Sequence, residues 1–177
     1  EAMAVFDSVP SSHPLYFEAR LQFAIQHEDN ADFIAALEEI EALRALRPER
    51  GLTFQASLLR ARSGDFEGGA ALLETMLAED PGDVEVLYQL AVLYGSQKQI
   101  DQALFYMTQV LKHDPQNAQA LNYVGYTWVE RGENLERAEA LIERAVRLSP
   151  RDGYIVDSLG WVYYMRARPL ISGPQRG

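Results

Sequence analysis

Pro14, Pro48, Pro81, Pro115 and Pro150 are separated by steps of 34, 33, 34 and 35 residues. Proline has no N–H to donate and biases the residue before it away from the helical region, so each is suited to stop a helix at a fixed place. Four of them close helix-like stretches: Leu46-Arg47-Pro48, Glu79-Asp80-Pro81, His113-Asp114-Pro115 and Leu148-Ser149-Pro150. Other positions keep the same step. Twelve residues before each proline stands a small side chain: Ala2, Ala36, Gly69, Ala103 and, past one inserted residue in Glu133-Asn134-Leu135, Ala138. Four residues after those come the large apolar Phe6, Ile40, Leu73, Met107 and Ile142. Upstream in each repeat a large residue precedes a small one, as in Phe23-Ala24, Leu90-Ala91, Val124-Gly125 and Leu159-Gly160.

These spacings define two helical faces per repeat. Positions 4, 7, 8 and 11 lie on one face and positions 20, 24 and 27 on another, so each repeat reads as two amphipathic helices. Gly64-Asp65, Gln97-Lys98-Gln99 and Gly132-Glu133 supply the turns between them. The small residues predict close approach of the two backbones. An aromatic follows three residues later, as Tyr94, Trp128 or Tyr163, and fills the space beside them. A single pair cannot cover its own apolar surface and must stack on the next, which predicts an all-α solenoid of antiparallel helix pairs with a hollow side.

The combination Leu-Gly-x-x-Tyr, Ala-x-x-x-Phe and Pro at this step resembles the tetratricopeptide repeat. The resemblance implies a right-handed superhelix over residues 1–166: a half repeat at 1–16, full repeats at 17–49, 50–83, 84–117 and 118–152, and the first helix of a further repeat at 153–166. His27 and Arg60 depart from it where the aromatic is expected, and Gly69 replaces the alanine. More narrowly, Asn122-Tyr-x-Gly-Tyr, the inserted Glu-Asn-Leu and Asp157-Ser-Leu-Gly-Trp161 are similar to C-terminal repeats of long Gram-negative tetratricopeptide proteins. Some of those are outer-membrane lipoprotein adaptors facing the periplasm, and some present clients to a processing protease. The expected compartment is therefore the bacterial periplasm, with an anchor in a longer chain, or the cytoplasm. Glu1 reads as the middle of a helix, so a longer protein is expected.

Composition excludes several function classes. With 177 residues, 47% apolar and 24% charged, the chain can bury a core. Cysteine is absent, which removes disulfides and thiolate metal sites. The net charge is −10, from 16 basic against 26 acidic residues, and nucleic-acid binding draws on clustered cations that are not present here. No apolar run approaches the roughly 20 residues that cross a bilayer, and no signal-peptide pattern opens the chain. His13, His27 and His113 sit in different repeats without ligand spacing, so no metal is expected. Ser8, Ser11 and Ser12 near His13 lack an orienting acid, and no nucleophile elbow occurs. Gly68-Gly69 lacks the phosphate-loop frame, and Glu28-Asp29 and Glu38-Glu39 read as solvated helix charges. Neither a cofactor nor catalysis is expected.

Binding remains. The resemblance implies that positions 2, 5, 9, 12 and 13 of each first helix face the groove, which gives Leu21, Ile25, Phe54, Leu58, Tyr88, Val92, Asn122, Tyr126, Tyr154, Asp157, Trp161 and Tyr164. Apolar and aromatic residues on a wetted face mark a partner site, although Leu21, Leu58 and Val92 also suit packing between repeats. Asn122 can grip a peptide backbone or cap a neighbouring side chain. Glu18, Glu28, Asp29, Glu85, Glu130 and Asp157 set the groove's charge, so the expected partner is a neutral-to-basic, partly apolar protein or peptide segment. After Arg166 two prolines break the pattern, and residues 167–177 read as an irregular tail. Val156, Leu159 and Tyr163 then lose their covering helix, so homo-oligomerisation through this end is the alternative to a non-catalytic adaptor.

Overall fold

The computed structural model describes residue 10 and residues 13–171, with side chains as far as Ala167. Ala2 and Phe6 of the expected half repeat, and residues 172–177 of the expected tail, lie outside the described residues. The regular structure among the described residues is all helical: α1 (Tyr16–Asp29), α2 (Phe33–Leu46), α3 (Arg50–Arg62), α4 (Phe66–Glu79), α5 (Val84–Ser96), α6 (Ile100–His113), α7 (Ala118–Glu130), α8 (Leu135–Leu148) and α9 (Gly153–Ile171). They form two compact units, Glu1–Pro81 with α1–α4 and Gly82–Gly177 with α5–α9. Inside each unit, consecutive helices pack as antiparallel neighbours, and in the second α7 also lies against α9. No helix among the described residues is long and apolar enough to cross a membrane.

One turn geometry recurs within the helix pairs. The N–H groups of Asp32, Asp65, Gln99 and Glu133 donate to the carbonyls of His27, Arg60, Tyr94 and Trp128. Just before each donor stands a residue with positive φ: Ala31 at 58°, Gly64 at 103°, Lys98 at 58° and Gly132 at 67°. A left-handed residue there lets the chain fold back and satisfy the last carbonyls of the first helix. The departures His27 and Arg60 are explained at the same turn. His27 Nδ1 lies 3.8 Å from Asp32 Oδ2, and Arg60 pairs with Asp65 Oδ2 at 3.1 Å and Glu41 Oε1 at 2.7 Å. Asp32 and Asp65 also cap the next helix through the N–H groups of Ala35 and Gly68. A basic side chain thus replaces aromatic packing with a link between the end of one helix and the cap of the next. In the second unit the aromatics return: Tyr94 stacks on Tyr106 with centroids 5.5 Å apart, and Trp128 packs on the cluster of Val129, Ala138, Ile142 and Val162.

Each proline that stops a second helix in the second unit is followed two residues later by the cap of the next first helix. Asn117 Oδ1 accepts from Ala120 N at 3.0 Å, and Asp152 Oδ1 accepts from Ile155 N at 3.3 Å. Asp83, placed the same way after Pro81, caps α5. Pro-x-Asp/Asn therefore acts as a combined stop and start signal.

The small residues make the close approach that their spacing predicts, with one exception. A Cβ on Gly69 would sit 2.5 Å from the Ser57 carbonyl oxygen, and one on Gly125 would meet Ile142 Cγ1 at 2.7 Å and the Ala138 carbonyl at 2.9 Å. Gly160, the counterpart of Gly125 one repeat later, has nothing within 4 Å of the same position. No second helix stands against it among the described residues. Two further expectations change at this end. Helix α9 continues to Ile171, beyond the Arg166 boundary where the tail was expected. Ala167 and Arg168 are good helix formers and Pro169 has a helix-compatible φ, so only one hydrogen bond is forfeited close to the helix end. Leu159 is not uncovered but packs half-buried on the Val129–Val162 cluster, because the preceding pair α7–α8 already covers that side.

Gly125→Ala is expected to destabilise the fold by about 1–3 kcal/mol through overpacking. Gly160→Ala should be neutral or stabilising by up to about 1 kcal/mol, because only helix propensity changes. Urea unfolding of the two variants checks the contrast.

Candidate functional site

The first helices of each unit carry an apolar residue at the same register, the ninth position of each repeat. These are Ile25 and Leu58 in the first unit and Val92, Tyr126 and Trp161 in the second, all between 37% and 42% exposed. A core position would be closed and a solvated one polar, so this recurrence marks a surface that is apolar without being packed.

In the second unit the surface deepens into a cavity of about 690 Å³. Helix α5 supplies Tyr88, α6 Met107, α7 Gln119, Asn122, Tyr123 and Tyr126, and α9 with its preceding turn Asp152, Tyr154, Ile155, Asp157, Ser158 and Trp161. The i,i+4 spacing of Asn122 and Tyr126, and of Asp157 and Trp161, stacks these side chains on one face of each helix. Tyr123 and Tyr126 also border a smaller cavity of about 420 Å³ lined by Ile100, Thr127, Glu130 and Arg131.

Glu130 fixes the aromatic wall. Trp161 Nε1 donates to Glu130 Oε1 at 2.6 Å, and Trp161 stacks on Tyr164 with centroids 5.3 Å apart and planes at 24°. Burial raises the Tyr126 phenol above its usual value, and the charge and hydrogen bond of Glu130 raise it further. Tyr123 is also raised, by burial first, with Arg131 opposing. Arg131 is itself held by Asp101 Oδ1 at 2.6 Å, which ties the end of α7 to the start of α6. The Asn122 Oδ1 atom is buried and has no hydrogen-bond partner among the described residues. A buried acceptor left so costs about 1–3 kcal/mol. Asp157 is exposed and has no ion-pair or hydrogen-bond partner among the described residues.

Of the twelve residues assigned to the groove from sequence, the cavity gathers Tyr88, Asn122, Tyr126, Tyr154, Asp157 and Trp161. Tyr164 lies behind Trp161, and Val92 is exposed on α5 without lining the cavity. In the first unit Ile25 and Leu58 are exposed, but Leu21 packs on the core cluster of Ala24, Ala36 and Ile40. Leu21 therefore contributes to stability rather than to a free groove surface. Phe54 is half-buried with the Arg50 guanidinium over its ring at 5.2 Å, so its face is already occupied. Sequence reasoning missed Tyr123, Gln119, Ile155 and Ser158. Gln119 stands at position 2, one of the positions that the resemblance turns toward the groove. Tyr123, at position 6, becomes visible only once α9 closes against α7. No three His, Asp or Glu side chains among the described residues gather as a metal site.

Residues 60–122 match the family model described as tetratricopeptide repeat. A TPR repeat-containing protein of Pseudomonas aeruginosa is 27% identical over 135 residues, covering 75% of this chain. The chain spans 23% of that relative's length. Among solved structures, a tetratricopeptide repeat protein from Parabacteroides merdae aligns with a TM-score of 0.65 at 17% identity, over 86% of this chain and 60% of that one. YrrB, described as a TPR protein with an unusual peptide-binding site, aligns with a TM-score of 0.58 at 17% identity, over 89% of this chain and 81% of its own. At these identities the structural likeness concerns the fold alone.

Glu130→Gln should let the Tyr126 phenolate form at lower pH, because it removes the negative charge that opposes ionisation while burial remains. A pH titration of the tyrosine ring carbon-13 resonances, with Tyr126→Phe for assignment, reads the shift. An unchanged Tyr126 titration would show that Glu130 does not act on it.

Proposed function

The chain is a tetratricopeptide repeat protein, and from that premise we propose that it is a non-catalytic adaptor whose second unit holds a segment of a partner polypeptide in the α5–α7–α9 cavity. The fold is in general a scaffold for protein–protein interaction. The observation that carries the finer reading is the convergence of Tyr88, Tyr126 and Trp161 on one cavity while Tyr126 and Trp161 stay more than a third exposed. Tyrosine and tryptophan supply large contact area with few rotors to freeze, which makes them the common anchors of binding hot spots. Asn122 lines the same cavity, and an amide can both donate to and accept from a polypeptide backbone. The shifted groups at the cavity are phenols displaced upward, away from the neutral range where an acid or base catalyst works.

A second reading rests on α9. Gly160 stands open, and Val156 and Tyr163 are close to half exposed on the same helix. Self-association through this face would cover them. Light scattering across a wide concentration range tests it, and a monomer mass at the highest concentration removes it.

For the adaptor reading, the chain and its Tyr88→Ala/Tyr126→Ala/Trp161→Ala variant are each used to select from a displayed library of random peptides. The unmutated chain is expected to enrich binders whose affinity falls by roughly tenfold or more in the variant, with helical content retained. Equal binding by both proteins would overturn the cavity as the site.

A further inference from the structure

We infer that the second-unit cavity receives an arginine side chain from the partner segment, held between aromatic faces and the Asp157 carboxylate. This rests on the groove reading above and adds to it the chemistry of the anchoring residue. Tyr88, Tyr126, Tyr154 and Trp161 line the cavity together with Asp152 and Asp157, and no lysine, arginine or histidine is among its lining residues. The two carboxylates differ in availability. Asp152 is engaged as a helix cap, its Oδ1 accepting from Ile155 N at 3.3 Å. Asp157 is unpartnered, three residues after Tyr154 and four before Trp161, so its charge lies on the helix face that carries both rings.

Aromatic faces elsewhere in the chain are covered by guanidinium groups. In the first unit Arg47 lies over Phe17 at 4.0 Å, Arg62 over Phe33 at 5.0 Å and Arg50 over Phe54 at 5.2 Å. Phe54 and Tyr88 occupy the same fifth position of their repeats. Four residues before Phe54 the chain supplies Arg50, whereas four residues before Tyr88 it supplies Val84. The guanidinium present over the first aromatic has no counterpart of the chain's own at the second. A planar guanidinium stacks on aromatic rings and forms paired hydrogen bonds to a carboxylate, while an ammonium does neither as well. The chain's net charge of −10 favours the approach of a basic segment and opposes an acidic one.

The test uses three capped peptides identical except at a central residue: arginine, its uncharged isostere citrulline, and lysine. Binding to the intact chain is followed by the Trp161 indole N–H resonance, assigned with Trp161→Phe. The arginine peptide should bind roughly three- to thirtyfold more tightly than the citrulline peptide, the span set by a partly desolvated cation–π contact. Asp157→Asn should reduce this difference and Asp157→Glu should retain it. Equal affinities for arginine and citrulline, a stronger lysine peptide, or an arginine preference undiminished by Asp157→Asn would each overturn the inference. If the citrulline peptide binds equally well and the triple aromatic variant loses both, the groove reading stands without the cation. Failure of every peptide to move the Trp161 resonance overturns the arginine site, while the displayed-peptide selection decides the groove separately.

Discussion

Backbone contact between the two helices of a repeat sets the spacing on which the rest is built. Where Gly125 meets the Ala138 carbonyl and Ile142, and where Gly69 meets the Ser57 carbonyl, there is no room for another methyl group. Ser57 turns the contact into a bond, its hydroxyl donating to the Gly69 carbonyl at 2.8 Å in the buried interior. Ala36, Ala103 and Ala138 do the same work with no exposed surface. Such tight pairing draws each second helix behind its first helix. Helices α7 and α9 thereby lie against each other, and residues of both line one cavity.

Two solutions for an aromatic on such a face occur in one chain. In the first unit arginines from the chain cover Phe17, Phe33 and Phe54, and the ion pairs of Arg60 with Glu41 and Asp65 tie neighbouring helices together. Burial pushes the Glu41 carboxyl up, but the hydrogen bonds and charges of Arg60 and Arg44 outweigh it and hold the group below its usual range. In the second unit Trp161 at the cavity is steadied at its edge by Glu130 and on one face by Tyr164, with no cation of the chain among the residues lining the cavity. A ring held at its edge and on one face has few rotamers left to lose.

The last helix departs from this pattern for a simple reason. Within the second unit α7 is covered by α6 on one side and by its own second helix α8 on another. α9 has the preceding pair α7–α8 against it, which accounts for the burial of Ile155 and Val162 and the packing of Leu159. It lacks a second helix of its own among the described residues, which accounts for the open Gly160 and the exposed Tyr163. The motif Leu159-Gly160-x-x-Tyr163 repeats Val124-Gly125-x-x-Trp128 in letters, but the same letters carry different energetics once the neighbour is gone.

Local information was enough to fix the helices, their turns and the register of the apolar column, because proline stops, small-residue contacts and i,i+4 faces depend on residues a few positions apart. The resemblance to the tetratricopeptide repeat, rather than local pattern, singled out Tyr88, Asn122, Tyr126, Tyr154, Asp157 and Trp161, which line one cavity. Tertiary structure alone decided that Leu21 belongs to the core, that Phe54 is covered by Arg50, that Tyr123 joins the cavity, and that Glu130 holds Trp161 from thirty-one positions away. Each of these depends on which side chain arrives from another helix, and the pattern of one helix cannot specify what will face it.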